Sequence, residues 1–563
     1  MSSVRTLPEA LATAADGDAG YVFVESGKEV RRSYAEMYAA SRRVAWALRA
    51  RGLGRGDLVA LIIGPSEQFL TTLFGASMAG VIPASLYPPA PTSDLPRYLA
   101  ATAGILASCG ARAVVTSAGL HPHIETLRSI CRTLEFVLPC DALDAPASGR
   151  LEAASVDDIA FVQFTSGSTS APKGVIVTHR NLSANIDAFS GPAGVGSSPS
   201  DCAVSWLPMY HDMGLVGMAI GAVYGSLTAV LLTPQAFVKR PVDWLRAISR
   251  HRGTVSFAPN FAYDLAVRRV KETDLEGLDL SSWRVAGCGA EPIHAPTLAA
   301  FAAKFRPAGF RETSFLPSYG LAEHVLAATV SPRGRTPRVE HLSADDVTAR
   351  RVATESRTSQ TESVTVVSCG LPLPHHQIRI AGEDGCALPE RRIGEISLTG
   401  PSVSPGYYKN DELTAKSIRD GWLYTGDLGY LSDGELFVCG RLKDVIIVNG
   451  RKHHAQDLEW SIDDLAGIRR GRVAAFGTAE RGRPERAVIV VEPSGTVPAD
   501  VLTDAIRRRI VDLCGLLIHD VVLVRRGMVA RTTSGKVRRA ATKLRYEQGD
   551  LEVAAGGQTG LHA

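Results

Sequence analysis

The sequence predicts an α/β protein built mainly on parallel sheets, because helical and strand signals alternate along most of the chain. Tyr34–Gly52 carries apolar residues at helical spacing and stops at a glycine, and Leu58–Gly64 is a short apolar run that ends in a turn. Strands that are buried on both faces of a parallel sheet are apolar throughout, so runs of this kind between helices favour such a sheet. Similar runs recur at Val114–Thr116, Ser226–Leu232, Thr254–Ala258 and Arg284–Gly287. At 563 residues the chain predicts more than one packed unit, since a domain takes ~150 residues.

The amino-acid composition of the sequence changes past about Arg335. Arg338–Ser368 holds no Phe, Trp or Tyr and is rich in Ser and Thr, which predicts a surface insertion rather than core. β-Rich segments follow, and helix and strand signals restart near Gly440. We therefore predict an N-terminal domain over residues 1–440, with an insertion at about 338–368, and a small α+β domain over residues 441–550. The small, polar residues of 551–563 predict a disordered tail.

Composition and charge exclude several classes of function. A net charge of +3 gives no basic footprint for nucleic acid. The nine cysteines include no CxxC pair and no Cys/His cluster at metal-ligand spacing, which predicts reduced thiols in a cytoplasmic protein. The N-terminus has acidic residues and no apolar core, so it does not predict a signal peptide.

One uncharged stretch, Met213–Val238, is long enough to span a bilayer. It holds several glycines, and its β-type run Leu227–Leu232 is followed by Pro234. A buried helix followed by a buried strand explains this pattern better, so we predict no transmembrane segment.

The segment Thr165–Gly174 predicts a phosphate-binding loop. It follows an apolar strand, Ile159–Phe164, and combines small and hydroxyl residues with Pro172 and Lys173. Backbone N–H groups can approach a polyphosphate closely in such a loop, and a lysine adds a point charge. The pattern is not a Walker A loop, because Lys173 is followed by glycine instead of Ser or Thr. The candidate phosphate contacts are Thr165, Ser166, Gly167, Ser168, Thr169 and Lys173.

Five further motifs follow in order: Gly289-Ala290-Glu291-Pro292, Ser318-Tyr319-Gly320-Leu321-Ala322-Glu323, Tyr424-Thr425-Gly426-Asp427, Gly440-Arg441-Leu442-Lys443-Asp444 and Thr533-Ser534-Gly535-Lys536. Each alone is a common turn or surface loop. Together with the loop they resemble the adenylate-forming superfamily of acyl-CoA synthetases, amino-acid adenylation domains and luciferases, over nearly the whole chain. The resemblance implies a large adenylation domain with a β-subdomain and a small, mobile C-terminal domain.

The resemblance also implies ATP and Mg²⁺ as cofactors and assigns residue roles. Tyr319 would stack on adenine between Ser318 and Gly320, with Gly289, Ala290 and Glu291 beside it. Glu323 would bind Mg²⁺, Asp427 and Arg441 would hold the ribose, Lys443 would lie at the interdomain hinge, and Lys536 would be the catalytic lysine. In this chemistry a carboxylate attacks the α-phosphorus of ATP, so charge builds on the phosphoryl oxygens and positioned donors stabilise it.

Three features resemble the fatty acyl-AMP ligases within that superfamily. The segment Trp206–Leu215 is similar to their substrate-side motif and makes His211 a candidate catalytic residue. The segment Arg451–Glu459 is similar to their version of the chain after the hinge, although His454 stands where a tyrosine is common. The third feature is the Ser/Thr-rich insertion at about 338–368. The resemblance implies that a fatty acid becomes acyl-AMP and is then transferred to the phosphopantetheine thiol of a holo acyl carrier protein, in polyketide or nonribosomal peptide synthesis.

Several alternatives remain open from the sequence. A long-chain fatty acyl-CoA synthetase has the same motifs, and amino-acid adenylation is possible if Asp212 holds an α-amine, although His211 precedes it. A degenerate protein that binds adenylate without turnover is disfavoured, because the candidate polar residues are all present. The uncharged residues Met213, Gly217 and Tyr224 are candidates for an acyl tunnel but fit plain core equally well. His453 and His454 fit a solvated turn.

Overall fold

A computed structural model describes residues 4–25, 27–89, 94–147, 149–165, 173–356, 363–448, 451–479, 485–532 and 536–554. Most of the first 330 residues alternate helix and strand. The helices are α1 (Leu7–Ala14), α2 (Tyr34–Arg49), α3 (Ser66–Met78), α4 (Leu95–Cys109), α5 (His121–Ile124), α6 (Leu127–Ile130), α7 (His179–Ser190), α8 (Gly221–Tyr224), α9 (Pro234–Lys239), α10 (Val242–Arg250), α11 (Asn260–Arg269) and α12 (Ala295–Phe305). The strands are β1 (Gly20–Glu25), β2 (Lys28–Ser33), β3 (Leu58–Ile62), β4 (Ile82–Ser85), β5 (Ala113–Thr116), β6 (Phe136–Pro139), β7 (Ile159–Thr165), β8 (Lys173–Thr178), β9 (Cys202–Ser205), β10 (Thr228–Leu232), β11 (Val255–Ala258), β12 (Val285–Cys288), β13 (Phe315–Gly320) and β14 (Ala327–Val330).

Strands dominate the next part of the chain, and helices return near its end. The elements are β15 (Val339–Ser343), β16 (Ser363–Val367), β17 (Leu371–Pro372), β18 (Gln377–Ala381), β19 (Gly394–Thr399), α13 (Asp411–Ser417), β20 (Ile418–Arg419), β21 (Trp422–Ser432), β22 (Glu435–Arg441), β23 (Val445–Val448), β24 (Arg451–His454), α14 (Ala455–Ile462), β25 (Ile468–Thr478), β26 (Arg486–Pro493), α15 (Ala499–Cys514), β27 (Asp520–Leu523) and α16 (Arg539–Gln548).

Two large sheets form the body of the molecule. One has the order β6-β5-β3-β4-β7-β8 and is parallel except at its β8 edge. The other has the order β17-β14-β13-β12-β11-β9-β10-β1-β2 and is parallel from β13 to β1. Alternate residues of β3 enter two different apolar clusters, Val59 and Leu61 in one and Leu58, Ala60 and Ile62 in the other. This two-faced burial explains the continuous apolar run, and the predicted α/β fold is confirmed.

The uncharged stretch Met213–Val238 is a buried helix followed by a buried strand, as predicted. A π-type helix, Met213–Ile220, runs directly into α8, and β10 follows. Leu215 and Val216 are fully buried. Within the described ranges, no helix combines the length and the apolar character that a membrane crossing requires.

The segment around 338–368 is not confined to the surface, so that prediction is wrong for its strands. β15 and β16 pair antiparallel. Leu342 and Val366 are buried in a cluster with Tyr430 and Phe437, whose rings stack with centroids 4.9 Å apart. The segment packs aliphatic side chains against these aromatic rings. Because the segment has no aromatic residues of its own, its composition did not predict this core role. Its residues 357–362 lie outside the described residues.

The last described part of the chain has its own sheet, β25-β26-β27, with α14 and α15 against one apolar cluster. β22 continues to Arg441, one residue past the boundary predicted at 440, and the two-domain division itself stays a prediction. Leu551 is buried and Val553 bridges to Val524. The predicted tail is therefore packed at residues 551–554, while 555–563 lie outside the described residues.

An aromatic cluster lies behind β12 and β13. Phe301 of α12 is fully buried, and its ring centroid lies 5.0 Å from Tyr263, 5.0 Å from Phe310 and 4.4 Å from Phe305. Trp283 closes the same cluster against Phe310. This packing supports β12 and β13 from one face of their sheet.

Replacing Phe301 with alanine should leave a cavity in this cluster. We expect the free energy of unfolding to fall by about 3–5 kcal/mol, because transfer and cavity terms add at a fully buried aromatic residue. Urea denaturation followed by tryptophan fluorescence measures it. The exposed Val238 gives a matched truncation, Val238→Ala, for which we expect a change within about 0.5 kcal/mol; similar losses for both variants would contradict the buried placement of Phe301.

Candidate active site

The predicted phosphate loop connects two antiparallel strands. β7 and β8 pair from Ile159 and Thr178 up to Thr165 and Lys173, with one register shift between Ile159 and Phe161. The Thr178 side chain caps α7, which begins at His179. Residues 166–172 lie outside the described residues. The predictions for Ser166, Gly167, Ser168 and Thr169 fall on these residues and stay predictions. The described ends of the hairpin place Thr165 and Lys173 side by side.

Loops at the carboxyl ends of β12 and β13 form one wall of the site. A Cβ on Gly289 would lie 2.6 Å from the carbonyl oxygen of Ser318, so only glycine allows the two loops to pack this closely. Ala290 adopts a positive φ of 66°. Glu291 turns inward, where its Oε1 accepts a hydrogen bond from the backbone N–H of Phe261 at 2.6 Å. Burial raises the pKa of Glu291.

Asp427 is held by two donors that the sequence placed in separate motifs. The Tyr319 hydroxyl donates to Oδ2 of Asp427 at 2.8 Å, and Nε of Arg441 donates to Oδ1 at 3.0 Å. Asp427 and Arg441 are partners in the β21–β22 ladder, which fixes this ion pair. Each carboxylate oxygen keeps a free lone-pair direction, so the group fits a diol such as that of a ribose.

Glu323 lies in the turn between β13 and β14. The Tyr407 hydroxyl donates to its Oε1 at 2.8 Å. The turn is held by Asn185, whose amide group donates to the carbonyl oxygens of His324 at 3.2 Å and Ala327 at 2.8 Å. The preceding Gly320 packs against the same turn, since a Cβ there would lie 1.8 Å from the Leu326 carbonyl oxygen.

The described residues contain no group of three His, Cys, Asp or Glu side chains that would hold a metal by themselves. This fits Mg²⁺, which proteins usually bind through one or two carboxylates together with substrate phosphates and water. The Oε2 atom of Glu323 remains available to bind Mg²⁺. Lys173 lies near the ring of Tyr407, the tyrosine that donates to Glu323.

Lys536 reaches this site from the C-terminal part of the chain. Its backbone N–H donates to Oγ1 of Thr532 at 2.9 Å. Burial lowers the pKa of its ammonium group, while the nearby Asp212, Glu291 and Asp427 oppose that shift. The structure therefore places this ammonium group within electrostatic reach of carboxylates from three separate segments of the chain.

His211 and Asp212 lie beside Lys536. Burial, helped by Lys536, lowers the pKa of His211 to about 3, so the imidazole is neutral at physiological pH. Among the described residues no group hydrogen-bonds its buried Nε2. An orphaned buried nitrogen of this kind fits a site that a bound substrate completes. Asp212 caps the following helix through the N–H of Met213 at 2.8 Å, and burial raises its pKa.

Lys443, the predicted hinge residue, is exposed in a short 3₁₀ turn, Leu442–Asp444. Arg539 connects this turn to α14, since it pairs with Asp444 at 2.7 Å and with Glu459 at 2.7 Å. Arg539 is three residues beyond Lys536. The chain that follows the predicted hinge is thus tied to the segment that carries Lys536.

His453 and His454 do not lie in a solvated turn, so that alternative is wrong. Both are buried, 6% and 7% exposed, in β24. Burial lowers the pKa of His454 to about 4. Its ring packs against Gly440, where a Cβ would lie 2.8 Å from Nδ1. Arg451 in the same strand lies 3.6 Å from Asp345 of the insertion, so the insertion contacts the chain after the hinge.

Sequence reasoning missed Tyr407 and Asn185. Both act on the Glu323 turn from elements far along the chain, and neither belongs to a recognisable spacing pattern. The one local sequence feature that could have drawn attention to Tyr407 was the glycine before it, Gly406.

Comparison with known proteins places the chain in a family. Residues 11–408 match the family model described as AMP-binding enzyme. A putative acyl-CoA synthetase of Caulobacter vibrioides is 36% identical over 551 residues, covering 97% of this chain and 96% of the relative. JamA of Moorena producens, a medium-chain-fatty-acid–[acyl-carrier-protein] ligase, is 34% identical over 556 residues, covering 94% and 93%.

A solved structure supports the same placement. It comes from a study of fatty acyl-adenylate ligases from E. coli and L. pneumophila, is 37% identical and superposes with a TM-score of 0.92. The match covers 97% of this chain and 99% of that one. The chain therefore belongs to the AMP-binding enzyme family and is an adenylate-forming ligase that uses ATP and Mg²⁺.

Proposed function

We propose that this protein activates a medium- or long-chain fatty acid as acyl-AMP and transfers the acyl group to the phosphopantetheine thiol of a holo acyl carrier protein. The observation that carries this proposal is the position of Lys536, beside Asp212, Glu291 and Asp427 at the carboxyl edge of the large sheet. A cation there lies where a carboxylate and an α-phosphate would meet if Asp427 holds the ribose. The nine free thiols fit a cytoplasmic location.

In the first half-reaction, a carboxylate oxygen of the fatty acid attacks the α-phosphorus of ATP, and the bond to the bridging oxygen of pyrophosphate breaks. Asp427 and Arg441 orient the ribose, and Glu291 and Tyr319 line the adenine side. Lys536 holds the substrate carboxylate against the α-phosphate and stabilises the charge that develops there. Glu323 would hold Mg²⁺, and that ion would offset charge on the phosphates.

The second half-reaction transfers the acyl group. The phosphopantetheine sulfur attacks the acyl carbonyl carbon, the carbon–oxygen bond to AMP breaks, and AMP leaves with that electron pair. A thioester forms, and the site releases AMP.

An apolar acyl chain fits the surroundings of His211. The helix that follows carries no charge from Met213 to Tyr224, and most of its side chains are buried. Gly217 brings its backbone near Leu326, since a Cβ there would lie 3.1 Å from Cδ2 of that leucine. Apolar walls with one polar end match a ligand that has a carboxylate at one end and a hydrocarbon tail.

The acceptor is inferred from the relatives and from the insertion. JamA is described as an acyl-carrier-protein ligase, which favours a carrier-protein thiol, and the insertion contacts the chain after the predicted hinge. We infer that residues 441–550 move as a small domain about Lys443 between the two half-reactions. The second candidate is a fatty acyl-CoA synthetase, favoured by the description of the Caulobacter relative.

The acceptor is tested by supplying ATP and fatty acids of several lengths with either holo acyl carrier protein or CoA. We expect mass spectrometry to detect acyl-AMP and acylated carrier protein, because the acceptor thiol belongs to the carrier. Apo carrier protein, which lacks phosphopantetheine, is the matched control and should stay unmodified. Robust acyl-CoA formation would overturn the acceptor assignment, and pyrophosphate exchange with amino acids but not fatty acids would overturn the substrate.

Replacing Lys536 with alanine should abolish acyl-AMP synthesis while the fold stays intact. A preorganised charge at a developing oxyanion contributes ~10²–10³ in rate, so we expect a loss of at least that order. Quenched-flow detection of acyl-AMP measures it, with circular dichroism as a check on folding. Lys543→Ala removes a lysine of α16 whose side chain is 37% exposed, and it should retain full activity; wild-type adenylation by Lys536→Ala would rule out the assignment.

The pH profile of adenylation should show an alkaline limb that belongs to Lys536. Burial lowers the pKa of this lysine, so the free enzyme loses the cation as pH rises through a value below the ordinary ~10.4 of lysine. The value of kcat/KM for ATP reports the free enzyme and should fall across that range. In Lys536→Arg the limb should disappear, since arginine stays protonated; an unchanged limb would show that another group titrates.

A further inference from the structure

Tyr407 lies between two groups of the proposed active site. Its hydroxyl donates to Oε1 of Glu323 at 2.8 Å, and Nζ of Lys173 lies 5.5 Å from the centroid of its ring. Glu323 comes from the turn after β13, whereas Lys173 begins β8. One side chain, only 6% exposed, thus contacts groups that reach the site from the two large sheets.

The chain around Tyr407 extends the phosphate-loop hairpin. The Ile176 N–H donates to the Gly406 carbonyl at 3.0 Å, and the Tyr408 N–H donates to the Gly174 carbonyl at 2.8 Å. Tyr407 therefore forms an isolated antiparallel β-bridge with Val175 at the edge strand β8. The backbone on either side of Tyr407 is thus hydrogen-bonded to the strand that carries Lys173.

The same segment is tied to the Glu323 turn and to α13. The Ser404 N–H donates to the carbonyl oxygen of Glu323 at 2.9 Å. The Tyr407 N–H donates to Oγ1 of Thr414 at 2.9 Å. Gly406 adopts a φ of 141°, and a Cβ there would lie 2.3 Å from Cγ2 of Thr414. Tyr407 is thus fixed from three directions.

The hydroxyl of Tyr407 is a permanent donor. A phenol has an ordinary pKa of ~10, so the Tyr407 hydroxyl keeps its proton at physiological pH. A phenol has one proton, and here it goes to a carboxylate oxygen, which is a charge-assisted hydrogen bond. That bond fixes the rotation of the Glu323 carboxylate and leaves Oε2 for another ligand.

We propose that Tyr407 is a positioning residue that orients Glu323 towards Mg²⁺ and Lys173 towards the phosphates of ATP. The proposal rests on the proposed function only in taking Glu323 as the magnesium ligand. The hydroxyl acts on the metal site and the ring acts on the lysine, because the cation lies against the ring. The two contributions separate when the hydroxyl and the ring are removed one at a time.

The test is binding of Mn²⁺, a paramagnetic substitute for Mg²⁺, to the full chain with a non-cleavable ATP analogue, α,β-methylene-ATP. Electron paramagnetic resonance counts free Mn²⁺, so no turnover is needed. We expect Tyr407→Phe to weaken Mn²⁺ binding by ~10-fold or more, the usual effect of losing an outer partner of a metal ligand. Binding of the metal-free analogue should stay unchanged, because the ring remains.

Tyr407→Leu removes the ring as well and should also weaken the metal-free analogue several-fold. Tyr408→Phe is the matched control: the same atom is deleted one residue away, on a side chain that packs against the apolar cluster of β3 and β5. It should match the wild type in both measurements. Thermal melting of each variant monitors folding.

The possible outcomes separate a specific role of the Tyr407 hydroxyl from a general structural role. Wild-type Mn²⁺ binding by Tyr407→Phe, or an equal loss in Tyr408→Phe, overturns the proposal, since the hydroxyl would then have no specific role. Undiminished Mn²⁺ binding by Glu323→Gln overturns the premise that Glu323 is the ligand, and the proposal with it. If the wild type binds Mn²⁺ with the analogue and Tyr407→Phe does not, but no fatty acid yields acyl-AMP, the proposed substrate is wrong and the role of Tyr407 stands.

Discussion

The burial of one ammonium group governs the arrangement of this site. Moving the charge of Lys536 out of water is expensive, and the lowered pKa of the lysine expresses that penalty. Asp212, Glu291 and Asp427 offset it. Burial of the carboxylates is also unfavourable, since it raises the pKa values of Asp212 and Glu291, and Lys536 opposes both of these shifts. Cation and carboxylates therefore stabilise one another's charged forms.

The carboxylates can meet because of the sheet topology. Asp212 lies just beyond β9 and Glu291 just beyond β12, and both strands run parallel in the same sheet. Residues that follow neighbouring parallel strands emerge on one edge, which is where open α/β sheets bind ligands. Asp427 comes from the antiparallel ladder of β21 and β22 and is held by Tyr319 of β13. That hydrogen bond is one of several that join the β-rich part of the chain to the parallel sheets.

Local patterns were enough to predict the parallel strands, because a strand buried on both faces is apolar throughout. They were also enough to place the candidate residues in short motifs, several of which the structure brings together: Tyr319, Asp427, Arg441 and Lys536. Contacts between distant segments were beyond such patterns. Tyr407 and Glu323 are 84 residues apart, and nothing in either neighbourhood signals the other. The burial of His453 and His454 depends on pairing with β23 and packing against Gly440, and the core role of Leu342 and Val366 depends on rings supplied by Tyr430 and Phe437.

The strand β12 ends at Cys288, one residue before the loop that begins with Gly289. An acyl-adenylate is a mixed anhydride, and any thiolate within reach would be acylated in place of the intended acceptor. Cys288 is fully buried, and burial raises its pKa far above that of an ordinary thiol. Only the thiolate is nucleophilic, so this cysteine stays inert beside a reactive intermediate. The close packing around the loop that begins with Gly289 thereby keeps this thiol unreactive in the proposed active site.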